Sequence, residues 1–233
     1  MAPVSSRRTS AVRRPRQGPP KPPQAPADLS LANALQLDIE HEQTVEAVAY
    51  YDADLAGADA EGVEFRQCRF RKASLAGAAL SRVRMADCLI ETCDLSNLKV
   101  DGAAFDRIKV SGTRMTGLAC YGGLVSDATF VDCKSDLTNW RQTRLDRVTF
   151  QKCNLAGADF TDADLRGASF TDCDLTRAQF HKATMTGARF RNCELQGIGG
   201  ITSWEGAIIH PDDLLAMSYL MAGALGIVVD DRN

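Results

Sequence analysis

Large apolar side chains recur at every fifth position through most of the chain. Of the 29 positions from Leu55 to Leu195 that are multiples of five, 26 hold Leu, Phe, Met, Ile, Val or Trp, and the exceptions are Ala60, Cys120 and Ser135. A period of five matches neither the α-helix, which repeats about every 3.6 residues, nor the β-strand, which alternates. The pattern therefore predicts a repeat architecture rather than an ordinary mixture of helices and strands.

A second series, of small side chains, lies two positions before each large one. Its 29 members from Ala53 to Cys193 include twelve Ala and seven Cys. Two positions after the large residue come eleven glycines in a single phase, and the remaining positions are mostly polar. Each unit is therefore predicted to be a short extended piece with two inward side chains, followed by a corner with unusual backbone angles. A unit this small cannot bury itself, so successive units must coil and stack.

The stretch CNLAG-ADFTD-ADLRG-ASFTD-CDLTR at residues 153–177 resembles the pentapeptide-repeat family. That family repeats a small residue, Asp or Asn, Leu or Phe, and two polar residues, and the resemblance covers about residues 51–200. It implies an all-β solenoid, a right-handed four-sided β-helix with four units in each coil. Residues twenty apart should then stack, and Leu and Phe do segregate at that period, with Leu55, Leu75 and Leu95 in one column and Phe150, Phe170 and Phe190 in another.

The two ends of the chain differ from the repeat and divide it into four parts. Residues 1–27 contain seven of the eight prolines and no acidic residue, which predicts a disordered basic tail. We expect an N-terminal cap at 28–50, the β-helix at 51–200 and a C-terminal capping helix at 201–233, with a proline in its first turn and a glycine after its end. The basic residues of the tail are Arg7, Arg8, Arg13, Arg14, Arg16 and Lys21.

No constellation of residues points to catalysis or to a cofactor. Seven of the eight cysteines occupy the small inward position, so we expect reduced core residues rather than zinc ligands or disulfides. The three histidines are scattered, and the chain has no phosphate loop, nucleophile elbow or zinc-binding helix. The carboxylates fall where the repeat requires polar residues. The sequence therefore predicts a protein that is not an enzyme, with no metal and no cofactor.

Two regions carry apolar residues beyond what the repeat needs. The repeat is least regular between about Thr113 and Thr143, which leaves open a bulge or kink in the rod and an exposed binding spot. The candidate apolar contact residues there are Tyr121, Leu124, Leu137 and Trp140. The C-terminal helix has an apolar surface wider than one stripe, which leaves open end-capping alone and a homodimer interface. The candidate dimer residues are Leu214, Met217, Tyr219 and Met221.

The charge distribution separates the functions that the resemblance implies. Several pentapeptide-repeat proteins inhibit or protect type II topoisomerases by imitating duplex DNA, which needs a continuous acidic surface. Residues 51–200 contain 20 acidic and 20 basic residues, so this rod has no net charge. We therefore expect a protein-binding scaffold, with modulation of DNA gyrase as the alternative. The acidic residues that would then face the partner are Asp54, Asp59, Asp94, Asp159, Asp162 and Asp174.

The basic tail supports a further alternative. Its six positive charges could tether the rod to nucleic acid or to an anionic membrane, with affinity that falls as salt rises. No apolar run follows the arginines as in a signal peptide, and no stretch is long enough for a membrane span. The sequence therefore predicts a cytoplasmic protein.

Overall fold

The computed structural model describes residues 18–228, which form a parallel β-solenoid of about nine turns. The strand pairings through the repeat join residues twenty positions apart, such as Phe70 with Ile90 and Phe150 with Phe170. Four five-residue units therefore complete one coil. The predicted fold class is confirmed.

The strands are short except in the middle of the rod. The N-terminal elements are β1 (Ser30–Leu31), α1 (Ala34–Leu37), β2 (Thr44–Glu46), β3 (Val48–Tyr51), β4 (Asp59–Glu61), β5 (Glu64–Arg66) and β6 (Arg69–Arg71). The central elements are β7 (Ala79–Ser81), β8 (Arg84–Ala86), β9 (Leu89–Glu91), β10 (Ala104–Ser111), β11 (Leu124–Val131) and β12 (Arg144–Gln151). The C-terminal elements are β13 (Ser169–Thr171), β14 (Arg189–Arg191), a 3-10 turn (Ile201–Ser203), β15 (Ile208–Ile209) and α2 (Pro211–Ala224).

The corners of the coils follow the predicted glycine phase. The residue two positions after each large core residue has a positive φ at every unit from Glu42 to Gly197, whether or not it is glycine. Eleven of these residues are glycines, and the other twenty-one have φ between 51° and 60°. Left-handed backbone costs a non-glycine residue about 1–2 kcal/mol. Hydrogen bonds between neighbouring coils hold these residues there, as when Leu137 N–H donates to the Ala156 carbonyl at 2.9 Å.

The irregular stretch between Thr113 and Thr143 does not disturb the register of the rod. Arg114 still bridges to Lys134, and Ala119 to Asn139, so the twenty-residue register continues unbroken. The interpretation of this stretch as a bulge is therefore wrong, and a kink stays a prediction. A buried network of hydroxyl groups replaces apolar side chains there.

That network satisfies its own hydrogen-bonding groups. Thr138 Oγ1 donates to the Ser135 carbonyl at 2.8 Å, and Trp140 Nε1 donates to Thr138 Oγ1 at 2.9 Å. The Ser135 hydroxyl contacts Met115 Sδ at 3.6 Å. Because each polar atom has a partner, these residues can replace Leu or Ala without leaving a desolvated group unpaired.

Both ends of the solenoid are closed by the segments expected to cap them. At the N-terminus β1 pairs with β3, and Asn33 forms a capping box with Gln36 at the start of α1. At the C-terminus α2 begins with Pro211 in its first turn and ends before Gly226, whose φ is 72°. The predicted proline and glycine positions of this helix are confirmed. Within residues 18–228 no helix is long and apolar enough to cross a bilayer.

Candidate interaction surfaces

The outward side chains form four faces that run the length of the rod. We name each face after one core residue behind it. In the order in which each coil passes through them, they are the Leu55, Leu80, Phe65 and Phe70 faces, where Leu80 lies one coil after Ala60 on the same face. Residues twenty apart lie on successive coils, which are separated by about 4.8 Å. A surface of this protein is therefore a set of columns, and residues far apart in sequence become neighbours.

The six acidic residues predicted to face a partner lie on two adjoining faces. Asp54, Asp94 and Asp174 are on the Leu55 face, and the other three are on the Leu80 face, where Asp59, Asp159 and Asp162 lie. Four of these carboxylates accept the N–H of the residue two positions later at 2.9–3.0 Å, and they belong to Asp54, Asp94, Asp159 and Asp174. These acids therefore stabilise the corners, which is reason enough for their presence.

Neighbouring groups further limit the acidic character of these faces. Hydrogen bonds from Ser96 hold the pKa of Asp94 below its usual value, so this carboxylate stays charged, but basic side chains lie close to the acids. Asp159 lies 3.8 Å from the Arg141 guanidinium on the preceding coil. Basic residues also interrupt the acids along the columns. In one column of the Leu55 face, Arg114 and Lys134 lie between Asp94 and Asp174. The two faces do not form a continuous acidic surface.

The four residues of the predicted apolar contact are not one patch. Trp140 is only 1% exposed, and its ring packs edge-on against Phe130 and Phe150, so its assignment to an exposed contact was wrong. Position 140 is a multiple of five, and that phase places it in the core. Tyr121 and Leu124 are exposed on either side of the corner at Gly122, whereas Leu137 lies at the opposite edge of the Leu80 face.

Leu137 is the most exposed of these side chains, at 65%. It occupies a corner position with φ 58°, and its Cδ2 atom lies over Gly157, where a Cβ would come within 2.9 Å. A shallow depression surrounds it on the Leu55 face. We call this the Leu137 depression, and its other lining residues include Lys134, Asp136, Ala156, Gly157, Thr176 and Arg177.

The C-terminal helix presents a different set of residues from the one predicted. Met217 is fully buried in the core cluster, so it cannot take part in a dimer contact through its side chain; that assignment was wrong. Leu214 and Tyr219 are exposed, and Met221 is partly buried against the core. The homodimer interface stays a prediction, with Leu214 and Tyr219 as its remaining exposed anchors.

The N-terminal segment differs from the predicted disordered tail. Arg7, Arg8, Arg13, Arg14 and Arg16 lie outside the described residues, but residues 18–27 lie along the side of the rod. Lys21 N–H donates to Asp127 Oδ1 at 2.9 Å, and Gln24 N–H donates to Asp87 Oδ1 at 3.0 Å. The Gln67 side-chain amide donates to the Gln24 carbonyl at 3.2 Å. We call residues 18–25 the strap.

The strap runs along a column of alternating charges at the corner between the Phe65 and Phe70 faces. This ladder corner consists of Asp87, Arg107, Asp127 and Arg147 on four successive coils. Arg107 donates to both carboxylate oxygens of Asp87 at 2.7 Å, and Arg147 donates to both oxygens of Asp127 in the same fork. Such forked pairs are stronger and more directional than single contacts.

The pair Asp127 and Arg147 is the more deeply buried of the two ion pairs. Asp127 is 4% exposed and Arg147 is 6% exposed. The Arg107 hydrogen bonds hold the pKa of Asp87 below its usual value. Burial alone would raise the pKa of Asp127, but the hydrogen bonds from Arg147 and the Lys21 N–H outweigh it and lower that pKa. Both carboxyls are therefore ionised acceptors at neutral pH.

The sequence interpretation did not include the ladder corner. The signal was present, because two Asp and two Arg alternate at intervals of twenty residues in a corner phase otherwise rich in Gly. Reading the repeat unit by unit made each charge look like an ordinary polar position. The strap could not be found that way, since its contacts join residues between 43 and 106 positions apart.

The cysteine thiols lie in the core of the rod. All eight cysteines are buried and unpaired, and several thiols donate to the carbonyl two residues before them, as Cys173 does to Thr171 at 3.3 Å. Burial raises the pKa of the Cys120 thiol to about 12. Among the described residues no three His, Cys, Asp or Glu side chains are grouped as a metal site would require.

Comparison with known proteins gives two family matches and several solved structures of low identity. The family model of pentapeptide repeats matches residues 51–87, and that of the pentapeptide repeat region matches 103–177 and 125–199. Full-length QnrB1, a plasmid-mediated fluoroquinolone resistance protein, is 20% identical over 83% of this chain and 98% of its own, with a TM-score of 0.32.

A second solved structure is that of HetL from the cyanobacterium Nostoc sp. strain PCC 7120, a pentapeptide repeat protein involved in heterocyst differentiation regulation. It is 16% identical over 72% of this chain and 87% of its own, with a TM-score of 0.38. No curated protein matches the sequence. The family matches, together with the twenty-residue register of the coils, establish that the chain belongs to the pentapeptide-repeat family.

Proposed function

We propose that this protein is a non-enzymatic scaffold that binds another protein through the side of its rod. The interior offers no room for a substrate, since its apolar cavity holds only about 40 Å³ and is lined by apolar core residues. Recognition therefore depends on the outward columns, which the coils hold in fixed positions. A rigid surface of this kind loses little conformational entropy when it binds.

Leu137 is the observation that carries the proposal. A non-glycine residue in the left-handed region costs about 1–2 kcal/mol, and a leucine that is 65% exposed recovers little of that by burial. Gly117 and Gly157 occupy the same corner on the two neighbouring coils, so the fold accepts glycine there. A leucine that is both unfavourable for the backbone and exposed to water is explained by a contact with a partner.

The surroundings of Leu137 fit the centre of a protein interface. Ala156 and Gly157 form a flat apolar floor beside it, and Lys134, Asp136 and Arg177 stand at the margin of the depression. An apolar anchor surrounded by polar groups of both signs is typical of binding hot spots. The partner surface that fits is a small apolar knob with mixed charges around it.

The test compares two glycine substitutions on the same corner column. Leu137→Gly removes the anchor and relieves the backbone, so the thermal midpoint should stay the same or rise. Asn97→Gly makes the same backbone change two coils away, at φ 57° in the native chain. We expect a protein captured from the native source by the unchanged chain and by Asn97→Gly to be lost with Leu137→Gly, in quantitative mass spectrometry. Equal capture by all three chains would contradict the proposal.

Modulation of DNA gyrase is the second candidate. The observation that favours it is the placement of Asp159 and Asp162 on one exposed face and of Asp174 on the adjoining face. A supercoiling assay with and without a fluoroquinolone should then show inhibition or protection at micromolar protein. Reversal of Asp159 and Asp162 to Lys should abolish the effect, and Lys182→Glu on the same face is the control for a general charge change. Absence of any effect of the unchanged chain would exclude this candidate.

A further inference from the structure

The strap has a regular pattern of its own. Residues 19–24 read Pro-Pro-Lys-Pro-Pro-Gln, so within them only Lys21 and Gln24 have a backbone N–H. Proline-rich chains favour the polyproline II helix, which has three residues per turn and rises about 3.1 Å per residue. Lys21 and Gln24 are one turn apart, so both N–H groups point to the same side, about 9 Å from each other.

The ladder corner has acceptors at the matching spacing. Asp127 and Asp87 are forty residues apart in sequence, which is two coils, or about 9.6 Å along the rod. Lys21 N–H donates to the first and Gln24 N–H to the second, at 2.9 and 3.0 Å. One turn of polyproline II thus spans two coils of the solenoid. From Lys21 to Gln24 the strap runs from the later coil to the earlier one, against the direction in which the solenoid advances.

The two carboxylates are held in place before the strap binds. The Arg107 and Arg147 forks occupy both oxygens of their partners, which fixes the plane of each carboxylate. The Oδ1 atom of each carboxylate can still accept a further hydrogen bond, and it is the atom that accepts the strap N–H. Arg107 lies between the two aspartates in the column, so the acceptors are two coils apart and not one.

Two further features complete a groove. The Gln67 amide donates to the carbonyl of Gln24 and holds the strap at one end. At the other end the column continues as Gly167 and Gly187, which lie beside Pro19 and Pro20 in an open groove. With glycine at both positions, this part of the column carries no side chain beyond a hydrogen.

We propose that the ladder corner is a binding groove for a polyproline II segment of the pattern Pro-Pro-x-Pro-Pro-x, and that its resident ligand is the chain's own strap. The groove selects the pattern because a proline at either x position would lose the N–H that a carboxylate accepts. A proline-rich ligand enters it at low entropic cost, since polyproline II is already formed in the free segment. The groove lies on a different corner from the Leu137 depression, so either proposal can fail without the other.

The first measurement is site-resolved amide hydrogen exchange on the full chain. We expect the Lys21 and Gln24 amides to exchange at least about tenfold more slowly than in the free peptide QGPPKPPQAPA. Gly18 in the same segment provides an internal comparison, because its N–H has no aspartate partner among residues 18–228. Exchange of Lys21 and Gln24 at the rate of the free peptide would overturn the proposal.

The second measurement opens the groove without changing the rod. Lys21→Pro with Gln24→Pro keeps the strap in polyproline II but removes both donors, whereas Lys21→Ala with Gln24→Ala keeps them. The labelled peptide QGPPKPPQAPA should bind the double-proline chain at least about tenfold more tightly than the double-alanine chain, as measured by fluorescence anisotropy. The double-alanine chain binds it weakly because its own strap occupies the groove. A peptide with proline at both x positions should bind neither chain.

Two results would overturn the selectivity claim. Equal binding of both peptides to the double-proline chain would mean that the groove takes proline rings without reading the N–H pattern. Failure of that chain to bind the Lys-Gln peptide would mean that the ladder corner is no binding site in trans. Circular dichroism of both variants checks that the solenoid is intact, and since the changes lie outside the core we expect spectra identical to that of the unchanged chain.

Discussion

One column of the core is aromatic towards both ends of the rod and aliphatic in the middle. In the column behind the Phe70 face, Tyr50 stacks on Phe70 with ring centroids 4.7 Å apart. From Phe130 onwards the stack resumes to Phe190, with centroid distances between 4.8 and 5.1 Å. Between these two stacks the column contains only Ile90 and Val110.

Packing differs between the two regions although the backbone does not. The apolar cavity of about 40 Å³ lies where this column is aliphatic: Ile90 and Val110 line it, together with aromatic side chains such as Phe70, Phe105 and Phe130. The C-terminal coils beyond Phe150 do not line it. Yet strand β10, one of the longest in the rod, passes through this region and pairs with β11 at every residue except the corner residue Arg107. Inter-coil hydrogen bonds therefore set the shape of the coil, and side-chain volume sets its packing density.

In a solenoid each coil contacts only its neighbours, so stability is close to a sum of local terms. Stacked rings add about 0.5–1.5 kcal/mol per pair beyond the area they bury. We therefore expect the aromatic C-terminal coils to be the most stable part of the rod, with the aliphatic middle opening before them. The predictions below test that difference, beginning with the largest effect.

Phe170→Asp should unfold the aromatic coils. The substitution places a charge without a partner among Phe150, Phe160 and Phe190, and we expect it to cost more than about 5 kcal/mol. Loss of the β-sheet signal in circular dichroism measures it. Arg166→Ala is the control, because it removes only an ion pair with Asp164 at the surface and should cost about 1 kcal/mol or less. A folded Phe170→Asp chain would contradict the assignment of this column to the core.

Phe170→Ala and Val110→Ala compare the two regions at equivalent positions of one column. Phe170→Ala loses two stacked contacts and leaves a large void, so its free energy of unfolding should fall by about 3–5 kcal/mol. Val110→Ala removes two methyl groups beside an existing cavity, and we expect a loss of about 1–2 kcal/mol. Urea unfolding of both variants measures the difference. Equal losses would mean that ring stacking contributes nothing particular to the C-terminal coils.

Val110→Ile should slightly stabilise the protein. The added methylene fits the cavity that Val110 lines, and we expect a gain of about 0.5–1 kcal/mol. The same change at Val148, which is 1% exposed in the coil of Phe150 and does not line the cavity, should cost about 1–3 kcal/mol by overpacking. Thermal midpoints of the two variants should therefore move in opposite directions. A shift of the same sign in both would mean that the two regions are packed alike.

The sequence by itself determined the coil. The phase of five determined which side chains point inward, and the glycines marked the corners with positive φ. The segregation of Leu and Phe at twenty supported the four units to a turn that the family resemblance implied. All three are periodic patterns that can be counted along the chain without knowing how distant elements are placed. The same grid would have placed Trp140 in the core, and its assignment to an exposed contact came from setting that rule aside.

Only the tertiary structure decided which surfaces exist. Asp87 and Asp127 become equally spaced acceptors because the solenoid brings residues forty apart onto alternate coils, and the strap meets them from the far end of the chain. Met217 is buried because α2 lies across the last coil, which its own sequence does not specify. Contacts between residues distant in sequence depend on the relative placement of whole elements, and that placement is set by the sum of many weak interactions rather than by any short pattern.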